Sequence, residues 1–156
     1  MAQEIERKFL VQGDEWRTLA PGRYYCQGYI PTQGKQTVRV RIVGDQGYLT
    51  LKGPTVGISR SEFEYDIPLQ DAQAMLAELC DHPLIEKHRY CIPVGEVIWE
   101  VDEFSGENQG LILAEVELTE ADQTVNLPPW IGQEVTGDPR YYNSNLVKYP
   151  FQQWES

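Results

Sequence analysis

Glu4, Glu6 and Lys8 alternate in the segment EIERKFL, and in an extended strand alternate side chains share a face. Two carboxylates on one face supply the oxygen ligands that a hard divalent cation takes, and an ammonium group beside them meets an anion. A second acidic set, Asp102 in IWEVDEF with Glu115 and Glu117 in ILAEVEL, carries the same chemistry, and Glu100 shares the parity of Asp102. Basic residues fall into the same rhythm, with Arg39 and Arg41 in VRVRIV, Lys52 in YLTLKG, and Lys87 and Arg89 in EKHRY. Together with Lys8 these come from four segments, and Arg60 in SRSEFEYDI, beside Glu62 and Glu64, adds a fifth. Such a distribution suits a compact polyanion, since Arg offers a bidentate fork to phosphate oxygens and Lys a point charge. Each set also reads as a ladder of solvent-facing charges. Against that, several segments carry like charges two positions apart, which is unfavourable unless a ligand or metal lies between them.

Other chemistries lack their residues. The sequence holds no GxxxxGK[ST] loop, no GxGxxG fingerprint and no GxSxG elbow, so a phosphate ligand must be held by side chains. His82 precedes Pro83, and His88 falls on the apolar parity of its strand, so both are read as structural. Cys26, Cys80 and Cys91 have no CxxC spacing and are read as small core hydrophobes.

The segments that carry the charges are short alternating runs, each expected to be a β-strand, separated by turn signals at Gly44–Gly47, Gly53–Gly57 and Ser105–Gly110. Leu69, Ala72, Leu76 and Leu79 recur at helical spacing between Pro68 and Pro83 and predict a helix over about residues 69–80. Short helices are expected from Glu15 to Leu19 behind Asp14, and after Asp138 with Pro139 at the first position, the latter carrying Tyr142, Leu146 and Tyr149 on one face. About eight strands with few helices suggest a closed antiparallel barrel or a sandwich, since either limits exposed edges. Two arrangements satisfy the alternation. Charges can face solvent over a buried apolar face, or face a barrel lumen while helices or a partner subunit cover the outside.

With 156 residues and 41% hydrophobic content, one domain over residues 1–156 is expected to fold around a real core. The net charge of −11 argues against tracking a nucleic-acid polymer, but a confined basic cluster reverses the local field for a small anion. Charges stand where a signal peptide needs apolar residues, and no run approaches a membrane span, so a cytoplasmic location without membrane contact is expected.

Taken in order, EIERKFL, QGYI, VRVR, YLTLKG, SRSEFEYDI, EKHRY, WEVDEF, AEVEL and GDPRYYNSNL resemble, over nearly the whole chain, the CYTH or triphosphate tunnel metalloenzyme family, whose hallmark is an N-terminal ExExK motif. The resemblance is greatest to its compact bacterial members. It implies a mainly β fold with flanking helices, an eight-stranded antiparallel tunnel with the charged faces inward. It further implies that Glu4, Glu6, Asp102, Glu115 and Glu117 bind Mg²⁺ or Mn²⁺, and that Lys8, Arg39, Arg41, Lys52, Lys87 and Arg89 form a triphosphate-binding wall. Glu4, Glu6, Lys8 and Lys87 are expected at the reacting centre, Arg60 and Tyr29 to contact substrate with Tyr29 near a mouth, and Glu62 and Glu64 to line the tunnel. The segment from Arg140 resembles the family's C-terminal helix, which closes one end. The implied activity is metal-dependent hydrolysis of inorganic tripolyphosphate; thiamine triphosphate hydrolysis, adenylate cyclisation and a sensor that binds polyphosphate or nucleotide without turnover are the alternatives. Apolar outer faces also suit a homodimer.

Overall fold

The computed structural model describes residues 3–154. Its elements are β1 (Gln3–Val11), β2 (Gly22–Ile30), β3 (Thr37–Val43), β4 (Gln46–Lys52), β5 (Ser59–Ile67), α1 (Leu69–Glu78), β6 (Ile85–Val94), β7 (Val97–Phe104), β8 (Ile112–Glu117), β9 (Ile131–Glu134) and α2 (Asn143–Lys148). The strands pair antiparallel in the order β5-β4-β3-β2-β6-β7-β8-β1, and the ring closes where β1 returns to β5, with Gln3 opposite Ser61 and Glu4 opposite Arg60. Eight strands therefore form a closed barrel, which satisfies the backbone groups that an open sheet leaves at its edges. β9 is laid along the rest of the β1 edge, with Phe9 opposite Glu134.

All seven alternating segments are strands, and their charged faces point inward. Lys87 and Asp102 are each 1% exposed, and Glu4, Lys8, Arg39, Lys52, Arg89 and Glu115 are buried as well. The solvent-facing arrangement is thus excluded. The inward parity changes chemistry along the barrel. Toward one end it carries Ile85, Phe104 and Leu113, which pack with Leu146, Val147 and Tyr141, so α2 and the residues before it lie over that part of the lumen.

The outer faces are covered piecemeal. Phe9, Trp16, Trp99, Val101, Val116 and Trp130 form one cluster outside β1, β7 and β8. α1 covers β2, β3 and β4, burying Ala72 and Leu76 against Val40, Ile42 and Leu49. Its close approach requires a glycine beneath it, because a Cβ at Gly47 would stand 2.8 Å from the Ala72 Cβ. Leu51, Phe63 and Tyr65 on the outside of β4 and β5 stay partly exposed.

Several local expectations are corrected. α1 ends at Glu78, so Leu79 leaves the helical face and is 54% exposed. α2 begins only after Tyr142 and ends before Tyr149, so of the three residues expected on one face Leu146 is buried while Tyr149 is exposed. The short helices behind Asp14 and Asp138 are single 3-10 turns at Glu15–Thr18 and Pro139–Tyr141. Only the second has a side-chain cap, in which Asp138 accepts from the Arg140 N–H. Cys80 is buried and Cys26 half-buried, but Cys91 is exposed because it lies on the inward parity near a barrel end.

Candidate active site

The inward side chains surround a cavity of about 720 Å³. Glu4, Glu6 and Lys8 from β1, Arg39 and Arg41 from β3, Lys52 from β4, Arg60, Glu62 and Glu64 from β5, Lys87 and Arg89 from β6, and Glu115 and Glu117 from β8 all line it, as does Tyr29 from β2. Of the residues singled out in the sequence, Asp102 alone lies behind the wall. Its carboxylate is taken up by Lys87 Nζ at 2.6 Å and by Arg89, whose Nε and Nη2 reach the two oxygens at 2.7 and 2.8 Å. Burial opposes the charge on Asp102, but Arg89 and Lys87 together hold its pKa below the ordinary carboxylate value. Lys87 is fully buried, and desolvation pushes its pKa down to about 7 despite Asp102, with Arg89 and Arg41 adding repulsion.

The cations differ in how far they are neutralised. Lys52 Nζ donates to Glu4 at 2.8 Å and lies 3.2 Å from Glu62. Arg60 Nε also reaches Glu4, at 3.3 Å. Lys8 Nζ lies 3.8 Å from Glu115 and donates to the Tyr141 carbonyl at 3.2 Å. Arg39 meets Glu64 and Thr50 only through Nη2, and its buried Nε has no hydrogen-bond partner among the described residues. Arg41 has no ion pair among the described residues, and its Nε donates to Gln27 Oε1 at 2.7 Å. Desolvation, then Arg39 and Arg89, push the Arg41 pKa down to about 9. A buried guanidinium in a positive field, beside an Arg39 N–H with no partner among the described residues, is a cation that the neighbouring side chains do not neutralise.

The acidic side of the cavity shows the converse. Burial and the adjacent Glu115 raise the Glu6 pKa well above the carboxylate range. Glu115 stays well below its own, because Lys8 and a hydrogen bond from Glu6 outweigh its burial. Glu62, Glu100 and Glu117 are raised too, each by desolvation first and neighbouring carboxylates besides. Crowded, mutually repelling carboxylates fit a hard divalent cation by their chemistry. They are not drawn together around a point, for among the described residues no three His, Cys, Asp or Glu side chains converge closely enough to hold an ion as they stand.

Some lining residues were given no role from the sequence. Glu100 accepts from Arg89 Nη1 at 3.2 Å and shares the parity of Asp102, which was signal enough to nominate it. Gln27 and Asn143 are neutral and carry no alternating pattern; they stand in QGYI and GDPRYYNSNL, two of the segments that carry the family resemblance, but no role was read for them. Altogether nine of the thirteen Lys and Arg residues line the cavity, against eight of the twenty-four carboxylates.

Over residues 2–142 the sequence matches the CYTH domain family. It is 52% identical to an inorganic triphosphatase of Acetivibrio thermocellus over 155 residues, 99% of each chain. It is 38% identical to an inorganic triphosphatase of Nitrosomonas europaea over 153 residues, 92% of this chain and 96% of the other. A crystal structure of an inorganic triphosphatase superposes with a TM-score of 0.67 at 34% identity, covering 94% of this chain and 95% of that one. A tunnel of inward charges and a match along almost its full length lead to one statement: the chain belongs to the CYTH domain family.

Proposed function

We propose that this protein is a divalent-metal-dependent triphosphatase that hydrolyses inorganic tripolyphosphate to pyrophosphate and phosphate inside the tunnel. The observation that carries the reading is the opposition, across one cavity, of under-neutralised cations and crowded carboxylates. The names of the two curated relatives support the substrate.

The residues divide by what they already hold. The guanidinium nitrogens of Arg41 without a hydrogen-bond partner among the described residues are donors for non-bridging phosphate oxygens, with Lys8, Arg39, Lys52, Lys87 and Arg89 supplying charge around them. Arg60 and Tyr29 border the substrate, and Glu62 and Glu64 hold Lys52 and Arg39 in place from the wall. Glu4, Glu6, Glu115 and Glu117 would hold Mg²⁺ or Mn²⁺, which when bound supplies charge neutralisation of the phosphate chain and a polarised water. Asp102, expected in that set, is spent on Lys87 and Arg89 and fixes their direction. Burial of Lys8, Lys52, Lys87 and Arg89 places them in a medium that screens them little, which favours stabilising charge on the transferred group and the departing pyrophosphate.

The test is phosphate release from tripolyphosphate, thiamine triphosphate and ATP, each with Mg²⁺, Mn²⁺ or excess chelator, with ATP products checked for cyclic AMP. Rapid metal-dependent release from tripolyphosphate is expected, with a Glu4→Ala, Glu6→Ala variant at least about a hundredfold slower, the scale of lost preorganised charge. Full activity in that variant, or activity unaffected by chelator, would overturn the reading.

A further inference from the structure

Asn143, the first residue of α2, reaches into the tunnel wall. Its Oδ1 accepts from Lys87 Nζ and from Gln27 Nε2, each at 3.0 Å. Gln27 is fully buried, and its Oε1 accepts from Arg41 Nε at 2.7 Å. The polarity of this chain is forced at both ends. Lys87 and Arg41 can only donate, so Asn143 must turn its oxygen to Lys87, and Gln27 must then turn its NH₂ to Asn143 and its oxygen to Arg41. Each amide has one orientation that satisfies both neighbours. The same short stretch also meets Lys8, which donates to the Tyr141 carbonyl and lies 5.6 Å from the Tyr142 ring centroid.

We infer that Asn143 is a positioning residue for triphosphate turnover: it fixes Lys87 directly and Arg41 through the Gln27 amide, so the C-terminal helix sets the geometry of the cationic wall as well as covering the lumen. The inference rests on the tunnel being the triphosphate site. Without the Asn143 oxygen, the Gln27 oxygen still faces Arg41, but its NH₂ keeps only the Tyr29 hydroxyl at 3.3 Å among the described residues, so the amide is less firmly set. Arg41, carrying no ion pair of its own among the described residues, would then rest on that loosened amide and on the Tyr25 ring, whose centroid lies 4.9 Å from its Cζ.

The experiment compares kcat and KM for tripolyphosphate with Mg²⁺ in wild type, Asn143→Ala, Asn143→Asp, Gln27→Met and the Asn143→Ala, Gln27→Met double variant, with thermal unfolding of each. Asn143→Ala is expected to lose at least about tenfold in kcat/KM while staying folded at the assay temperature, with Tm lowered by a few degrees through the lost hydrogen bonds. Asn143→Asp keeps the acceptor, so kcat should stay within about threefold of wild type while KM rises from the added negative charge. Gln27→Met should also lose activity, and the double variant should fall no more than about threefold below Asn143→Ala, because both changes break one chain. Retention of kcat/KM by Asn143→Ala, equal loss of kcat in the Ala and Asp variants, or multiplying losses would overturn the inference. Should Asn143→Ala fail to fold, Asn143→Ser, whose oxygen is too short to reach both partners, takes its place. Wild-type inactivity on tripolyphosphate would instead sink the proposed function, and calorimetric binding of tripolyphosphate to the same variants then decides the role of Asn143 on its own.

Discussion

Arg41 and Asp102 occupy opposite ends of a single electrostatic problem, and truncating each should move stability in opposite directions. Arg41 is a nearly enclosed cation on which burial and then other cations, Arg39 and Arg89, act most strongly. Replacing it by Met removes repulsion and an uncompensated charge, so Arg41→Met is expected to raise unfolding free energy by about 1 kcal/mol or more while removing most triphosphatase activity. Asp102 is the anion that Lys87 and Arg89 share, and Asp102→Ala leaves two buried cations without it, an expected loss of about 3–5 kcal/mol. Urea titration of both variants measures the pair; a destabilised Arg41→Met would show that the guanidinium is compensated by something other than a ligand. The identity of these residues was legible because like charges two apart demand an explanation. Their division into anchored and waiting cations was not, since it depends on which strand stands opposite, and pairing register is a property of the closed ring.

Gly47 holds an element in place by what it lacks. A methyl there would meet the Ala72 Cβ at 2.8 Å and the Ile67 carbonyl at 3.1 Å, so α1 would have to lift from β3 and β4. Gly47→Ala is expected to cost about 1–3 kcal/mol, read as a lower denaturation midpoint at unchanged slope, and an unaltered midpoint would mean that α1 moves away freely. At this scale the sequence was most informative where charge and apolar residues alternate, which is why seven strands were found directly. β2 escaped because its inward positions after Arg23 are Tyr25, Gln27 and Tyr29, so its polarity contrast is weak, although it pairs along most of its length with both β3 and β6. β9 is only four residues long and gains its strand character from the β1 edge that β5 leaves uncovered. α2 came out shorter than its apolar spacing suggested because the chain turns at Tyr142 to send Asn143 inward.

The barrel as a whole stores unmet electrostatic demand that a ligand would satisfy. Binding to the folded chain alone stabilises it by mass action, so tripolyphosphate with Mg²⁺ at about a hundred times Kd should add roughly 2.7 kcal/mol and raise the melting temperature by several degrees. Scanning calorimetry with each component alone and with both checks this; no shift with both together would mean that the folded chain does not bind them. Strand number left a closed barrel and a sandwich both open, and whether the charges faced in or out was not decidable from alternation, because parity says which residues share a face and not which face is inside. The resemblance to a known family settled the direction, and the burial of Lys8, Lys52, Lys87 and Arg89 bears it out.

With most Lys and Arg side chains gathered in the cavity, the net charge of −11 is carried on the exterior. An approaching polyphosphate therefore meets a repulsive shell before it meets the attractive lumen. Simple ions screen the exposed shell over about 10 Å at 0.1 M, and screen enclosed charges much less. Lys35 and Lys148, the exposed lysines of the lining, offset that shell only locally, so capture should be faster in moderate salt than in very dilute buffer. The tunnel would act as a kinetic filter, admitting polyanions that reach the mouth already partly neutralised by their counterions.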